Sequence, residues 1–331
     1  MTPADSSAAV KEQVLVIHEG DLASAVRMLA AAKILRERHR KARITLLTDD
    51  AHVTLLKHCP YFDAVEPGLG EAAKKGFFER IKLARASKFD RVYDLGSGEA
   101  GRKLRRTISL SGGKWIDAAP NPKKPGHPLD QQAAALGRAG LGPDQITPGA
   151  AAPAEADWID FLAKRSRQLD PAYFGIHRRY ALFAPAGEDV PAKDRWPAER
   201  WAELARLLLA EDIEPVVVGG PATRETGKAV IRGAEGARDV TGRANLVQLA
   251  GLGRQASCVF GEDTGLFHLI VAAGSPGVML RAGQGLDPDS APRGVETTLV
   301  LHAATLPDIA AEAAVQAMRA AGGFTRSFAA A

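Results

Sequence analysis

Residues 14–47 read VLVIHEGDLASAVRMLAAAKILRERHRKARITLL. The apolar, β-branched run Val14–Ile17 has the pattern of a strand buried on both faces. Gly20-Asp21 close it. From Leu22 to Arg38 the apolar residues Val26, Leu29, Ala30, Ile34 and Leu35 recur near 3.6 spacing, which predicts a helix. Arg43 to Leu47 predicts a second strand. Strand, helix and strand in this order predict a parallel pair joined by a crossover.

The alternation continues outward. A helix is expected from about 51 to 58, a short strand at Val65, a basic helix over 71–87, a strand over Arg91–Leu95 and a helix over Arg102–Leu110. Pro120–Pro128 is a Pro-rich turn, followed by a helix over His127–Leu141. Gly142–Pro153, rich in Gly, Pro and Ala, is the best linker candidate, and 155–169 reads as a helix. The second half repeats the logic. Strands are expected at Tyr180–Phe183, Pro215–Val218, Cys258–Phe260 and Gly277–Leu280. Helices are expected at Pro197–Ala210, Thr223–Arg232, Leu246–Arg254, Leu266–Ala273 and Leu306–Ala320. The chain therefore reads as two α/β halves, 1–150 and 151–331, with a return of the last helix to the first half left open. The 331 residues, at roughly 100–200 per domain, agree with two domains. Ligands of such sheets bind at the carboxyl ends of the strands.

Composition excludes several classes. Apolar residues are 46% and charged residues 25% of the chain, as in an ordinary globular protein and unlike a disordered one. A net charge of +4 is too small to suggest a nucleic-acid coat. Cys59 and Cys258 lack any metal-ligand spacing and read as small buried side chains. Met1–Gln13 has no signal-peptide core, and no run approaches the ~18 apolar residues of a membrane helix. A cytoplasmic location is expected. The charge is uneven, however. Residues 71–124 hold fourteen Lys/Arg and six Asp/Glu, a net +8, and the remainder is −4.

Four motifs sit where ligands would be met. Gly261-Glu262-Asp263-Thr264-Gly265-Leu266-Phe267-His268 joins a strand to a helix, and the unsatisfied N–H groups of such a helix start suit a diphosphate. His268 falls one turn after Thr264. A cap plus a packed histidine is the plain alternative. Lys193-Asp194-Arg195-Trp196-Pro197 puts cations just before a helix, within reach of a phosphate, or is a solvated loop anchored by Trp196. Gly219-Gly220-Pro221-Ala222-Thr223-Arg224-Glu225 is again strand, glycines and helix, with Glu225 suited to a ribose hydroxyl pair or simply to the helix dipole. Gly20-Asp21 presents a carboxylate that is either a general base or a helix cap. No nucleophile elbow, P-loop, GxGxxG after the first strand, or HExxH is present.

Taken together and in order, these motifs resemble the heptosyltransferase family, glycosyltransferase family 9 of lipopolysaccharide core assembly. The likeness runs from the opening strand–Gly-Asp–helix, through CPYFDAV (59–65) and RWPAERWAELARLL (195–208), to VTGRANLVQLAGLGRQASCVFGEDTGLFHLIVAAGSP (240–276). Its most specific element is Asp263-Thr264-Gly265-x-x-His268. The resemblance implies the GT-B architecture, two facing Rossmann-like domains, with the acceptor on the first and a nucleotide sugar on the second. It implies a single inverting displacement without metal or cofactor, with Asp21 as base. Donor contacts would fall on Asp263 (sugar hydroxyl), Thr264 and Gly265 (diphosphate), His268 nearby, Lys193 or Arg195 (phosphate) and Glu225 (ribose). The implied donor is an ADP-heptose-type sugar and the acceptor an anionic lipid-linked glycan. No nucleic acid is implied.

Three stretches depart from the family pattern, one of them at the family's usual Lys position, which is Asp194 here with Lys193 one earlier. Only His18-Glu19 separate the first strand from Gly-Asp, and Leu280-Arg281-Ala282-Gly283-Gln284 replaces a Phe-Gly-Pro-Thr segment. Two alternatives follow: a family member that binds nucleotide sugar or glycan without transfer, and a sugar-nucleotide epimerase of similar architecture. The +8 stretch lies in the implied acceptor domain, where Arg102, Arg105 and Arg106 would meet an anionic acceptor or the inner membrane face.

Overall fold

The computed structural model describes residues 12–69, 89–96, 104–105, 113–121, 123–141, 158–163, 167–283, 291–293, 298–320, 322 and 324. The chain forms two compact units. One comprises Met1–Gly20, Ala31–Pro125 and Leu129–Pro148; the other comprises Asp21–Ala30, Gly126–Pro128 and Gly149–Ala331.

The first unit is built on β1 (Gln13–His18), β2 (Arg43–Asp49), β3 (Ala64–Leu69), β4 (Arg91–Asp94) and β5 (Lys114–Asp117). All pairings are parallel and the strand order is β3-β2-β1-β4-β5. Helix α1 (Leu22–Arg38) links β1 to β2, α2 (Asp50–Leu56) follows β2, and α3 (Pro128–Arg138) follows β5. Leu15, Ile17, Leu47 and Val92 pack with Phe89 and Leu104 on one face of this sheet. Val14, Val16, Ile44 and Leu46 are also buried, which accounts for unbroken apolar strands rather than alternating ones. Gly96, just after β4, sits against the backbone of Glu19. A Cβ there would come within 2.3 Å of the Glu19 nitrogen, so only glycine lets the two strand ends approach.

The second unit has β6 (Tyr180–Ala184), β7 (Glu214–Val217), β8 (Arg238–Asp239), β9 (Cys258–Glu262), β10 (Gly277–Ala282) and β11 (Thr298–Ala303). They are parallel, in the order β11-β10-β9-β6-β7-β8. Its helices are α4 (Trp158–Ala163), α5 (Ala198–Ala210), α6 (Arg224–Gly233), α7 (Leu246–Gln255), α8 (Gly265–Ala272) and α9 (Ala311–Ala320). Alternate strand residues feed two cores. Ala181, Phe183, Val217, Cys258, Phe260 and Val278 meet α5 and α9 on one face. Tyr180, Leu182, Val216, Val259 and Met279 meet α7 and α8 on the other. Both sheets therefore carry the doubly wound Rossmann order.

Several details were not anticipated. β5 and β8 are short, bounded by charges and without a clear apolar signature, whereas β11 is a partly exposed edge strand that does carry an apolar run, Leu299-Val300-Leu301. The helix expected over Leu306–Ala320 is broken. A 3-10 turn, Leu306–Asp308, is closed by a Thr305/Asp308 capping box before α9 begins. The carbonyl of extended Ile309 then accepts the Trp196 indole N–H at 2.9 Å. The last helix packs in the second unit's own core. The basic helix expected over 71–87 lies outside the described residues, and of Arg102–Leu110 only Leu104 and Arg105 are described, as helix. Cys59 and Cys258 are buried free thiols, and burial pushes the Cys258 thiol far up, out of nucleophile range. No helix among the described residues is long and apolar enough to cross a membrane.

Candidate functional site

Strand numbering in the second sheet rises away from the β9–β6 neighbour pair in both directions. Such a reversal opens a crevice at the carboxyl ends of the two strands, because their following segments leave on opposite faces. The segments that leave there are Pro185–Arg195 after β6 and Asp263-Thr264 after β9.

Glu262, the last residue of β9, holds these segments together. It is 3% exposed, and its carboxylate accepts the backbone N–H of Ala186 and, at 2.7 Å, that of Trp196. Burial pushes its carboxyl up, against the two N–H bonds and the nearby charge of Arg195. Glu262 is not singled out by the sequence alone. Its one signal was a carboxylate at the end of the apolar run Cys258-Val259-Phe260.

The next residues form a charged cluster. Thr264 caps α8, its hydroxyl accepting the Phe267 N–H and its carbonyl the His268 N–H. The N–H groups of Gly265 and Leu266 have no hydrogen-bond partner among the described residues, which leaves them for a ligand. Buried His268 meets Asp263 through Nε2···Oδ1 at 3.1 Å, and Arg281 approaches the other Asp263 oxygen at 3.5 Å. Burial raises the Asp263 carboxyl, but the His268 hydrogen bond and the charges of His268, Arg281 and Arg27 outweigh it and hold it below the usual aspartate range. Arg281 belongs to the stretch Leu280–Gln284 and puts a positive charge beside Asp263. Arg27, the lone basic residue between Leu22 and Ala32, was likewise not singled out.

Asp21 joins this cluster within the second unit. It caps α1, accepting the Ser24 N–H at 2.7 Å. Burial again raises its carboxyl, and the Ser24 backbone and side chain, then Arg27 and His268, lower it below the usual range. A Cβ on Gly265 would stand 2.6 Å from Leu22 Cβ and 3.1 Å from the Ala23 nitrogen, so glycine is required where α8 and the first turn of α1 meet. Of the two roles the sequence left open for Asp21, general base or helix cap, the cap is the one seen in these contacts.

The remaining residues fall as follows. Lys193 is exposed on a 3-10 turn, Ala192–Asp194. Arg195 follows it, and its Nε is buried without a hydrogen-bond partner among the described residues. Glu225 opens α6 and forms an exposed ion pair with Lys228 at 2.7 Å, which lowers its carboxyl. The loop after β6 packs on the turn after β7: the Glu188 N–H bonds the Ala222 carbonyl at 2.8 Å. Arg102 and Arg106 lie outside the described residues. The Arg105 guanidinium stands 6.0 Å from the centre of the Trp115 ring, a cation–π contact.

Residues 152–282 match glycosyltransferase family 9 (heptosyltransferase). Over this stretch the chain is similar to the family 9 heptosyltransferases. A 103-residue stretch is 31% identical to lipopolysaccharide heptosyltransferase 2 of Salmonella typhimurium, covering 30% of this chain and 29% of that protein. The matched stretch thus spans under a third of the curated relative. The fold is shared over far more of the chain. A family 9 glycosyl transferase from Veillonella parvula superposes with a TM-score of 0.76 at 18% identity, covering 94% of this chain and 97% of that one. The E. coli heptosyltransferase WaaC, solved with ADP, gives 0.71 at 17% identity, covering 93% and 99%. The heptosyltransferase match encloses Glu262, the Asp263–His268 element and Arg281.

Proposed function

We propose that the protein is an inverting, metal-independent glycosyltransferase that moves a heptose-type sugar from an ADP-sugar to a lipopolysaccharide core or a related anionic glycan. The observation that carries this reading is the α8 start. Two N–H groups without a partner among the described residues, the Asp263–His268 pair and the capping carboxylate of Asp21 converge there in the second unit.

Each residue has a defined task in this reading. The Gly265 and Leu266 N–H groups and the positive end of α8 take the departing diphosphate, with Lys193 and Arg195 as counter-charges. These groups neutralise the leaving group, so its departure calls on no metal ion. Asp263, oriented by His268 and Arg281, accepts a sugar hydroxyl, and Glu225 exchanges Lys228 for the ribose. Asp21, ionised at neutral pH, takes the acceptor hydroxyl proton as that oxygen attacks the anomeric carbon from the face opposite the diphosphate. The bond from the anomeric carbon to the diphosphate breaks, and the configuration inverts. The match to a transferase family over the donor residues favours transfer over epimerisation. The acceptor would meet the first half, with Arg102, Arg105 and Arg106 among its contacts and the anionic inner membrane face close by.

Calorimetric titration with ADP, ADP-heptose and UDP-sugars tests the donor assignment: ADP compounds bind, and absence of binding by any nucleotide overturns it. Asp21→Ala is expected to fold and bind donor, and to lose transfer by a factor of about 10² or more. Retained transfer removes Asp21 as base.

A further inference from the structure

The loop that departs from the family pattern begins with His18, and this histidine does not stand by itself. Among the described residues, one group of three metal-ligating side chains lies together: His18, Asp49 and His52, whose ligand atoms are all within 4.8 Å of one another. His18 ends β1 and pairs in register with Thr48, one residue before Asp49, the last residue of β2. Asp49 is also the N-cap of α2, and His52 lies on that helix's first turn. All three belong to the first unit.

The surroundings are those of a built site. His18 is 1% exposed and His52 6% exposed, so both imidazoles are withdrawn from solvent. Asp49 makes no side-chain capping bond to α2, unlike most aspartates in that position. Its Oδ2 accepts the Gly20 N–H at 2.8 Å instead, an outer-shell bond of the kind that orients a ligating carboxylate. The His18–Glu19 peptide is pressed on its other side by Gly96, where a Cβ would meet the Glu19 nitrogen and, at 3.1 Å, the His18 carbonyl carbon. The ligand-bearing backbone is therefore held from two sides.

We propose that His18, Asp49 and His52 bind a divalent transition-metal cation of the zinc class at the carboxyl ends of β1 and β2. Two imidazoles and one carboxylate suit Zn²⁺ and its neighbours, and disfavour Mg²⁺ and Ca²⁺, which take oxygen ligands. Tetrahedral bonds of about 2.0–2.1 Å place ligand atoms about 3.4 Å apart, so side-chain rotations that move each atom by about 1 Å complete the site. Three protein ligands leave a fourth position for water or an anionic oxygen. The site does not depend on the proposed transfer chemistry, whose diphosphate contacts all lie on residues of the second unit.

The test uses the full untagged chain, stripped with chelator and titrated with Co²⁺ and Zn²⁺. Binding is read by competition with a chromophoric chelator and by the Co²⁺ ligand-field spectrum. One equivalent is expected, unaffected by excess Mg²⁺. His18→Ala and His52→Ala are each expected to weaken binding by at least about 10–100-fold. Asp49→Asn, which keeps an acceptor for the Gly20 N–H and so preserves the fold, weakens it by at least about tenfold. His302→Ala, on exposed β11, leaves it unchanged. ADP titration of the same samples reads the donor assignment separately. A wild-type chain that takes up no stoichiometric metal, or a folded Asp49→Asn chain that binds as tightly as wild type, overturns the proposal.

Discussion

Glu262→Gln is the most informative single change at the donor side. The wild-type carboxylate spends one oxygen on the Trp196 N–H and the other on the Ala186 N–H, inside the protein. Glutamine keeps one acceptor and turns an NH₂ group toward the other donor. One bond to a charged acceptor is lost and one buried N–H is orphaned, which costs about 2–4 kcal/mol. Relief of a buried charge, felt in the raised Glu262 carboxyl, offsets part of this. A net loss of about 2 kcal/mol remains, and at about 2–4 °C per kcal/mol the thermal midpoint falls by about 4–8 °C. Glu262→Ala orphans both N–H groups and falls further. Because the freed segment carries Lys193 and Arg195, donor affinity is expected to fall while turnover at saturating donor changes little. Differential scanning calorimetry and ADP titration measure the two effects. If both variants unfold within about 0.5 kcal/mol of wild type and bind ADP unchanged, Glu262 does not hold the loop and the reasoning is wrong.

The Asp263 carboxyl is held below its unfolded value, so its contribution to stability is present above about pH 4 and lost as pH falls through the lower folded value. Urea midpoints from pH 6 to 3 fall less steeply for Asp263→Asn than for wild type, and equal slopes refute the coupling. Gly220→Ala, with open space around the new Cβ and an ordinary φ, is neutral or stabilising by up to about 1 kcal/mol. Gly265→Ala clashes with Leu22 and costs about 1–3 kcal/mol. Denaturant unfolding ranks the pair, and the reverse order contradicts the close approach at Gly265. Charge reversal at Arg102, Lys103, Arg105 and Arg106 weakens acceptor use or liposome binding and leaves ADP affinity alone. No change in either returns the basic stretch to a solvated surface.

The fold was legible because fully buried parallel strands and amphipathic helices leave opposite signatures. Val14–Ile17 and Tyr180–Phe183 could be placed within a residue or so, whereas Arg238–Asp239, with two charges and no apolar residue, carried no signal. In the site, Asp263, Thr264 and His268 were readable because they are neighbours in one strand–turn–helix. Glu262 and Arg281 were not, because their partners stand many residues away and the register of the sheet delivers them, and Arg27 was not, because only the packing of α1 against the start of α8 brings it near Asp263. The same holds for His18 with Asp49 and His52, a spacing of thirty-odd residues that no local motif records.

The central position of β6 also sets the order in which the second sheet can be completed. Its strand Tyr180–Ala184 is buried on both faces and bonded on one edge to β7, but its other edge is closed by β9, which begins at Cys258. That partner leaves the ribosome roughly 75 residues later, which at about 5–20 residues per second is about 4–15 s. For that interval an apolar strand waits with an open edge, the arrangement most prone to intermolecular pairing. Synthesis of this chain therefore carries a window of aggregation risk, and slower translation between residues 184 and 258 is expected to lower the soluble yield.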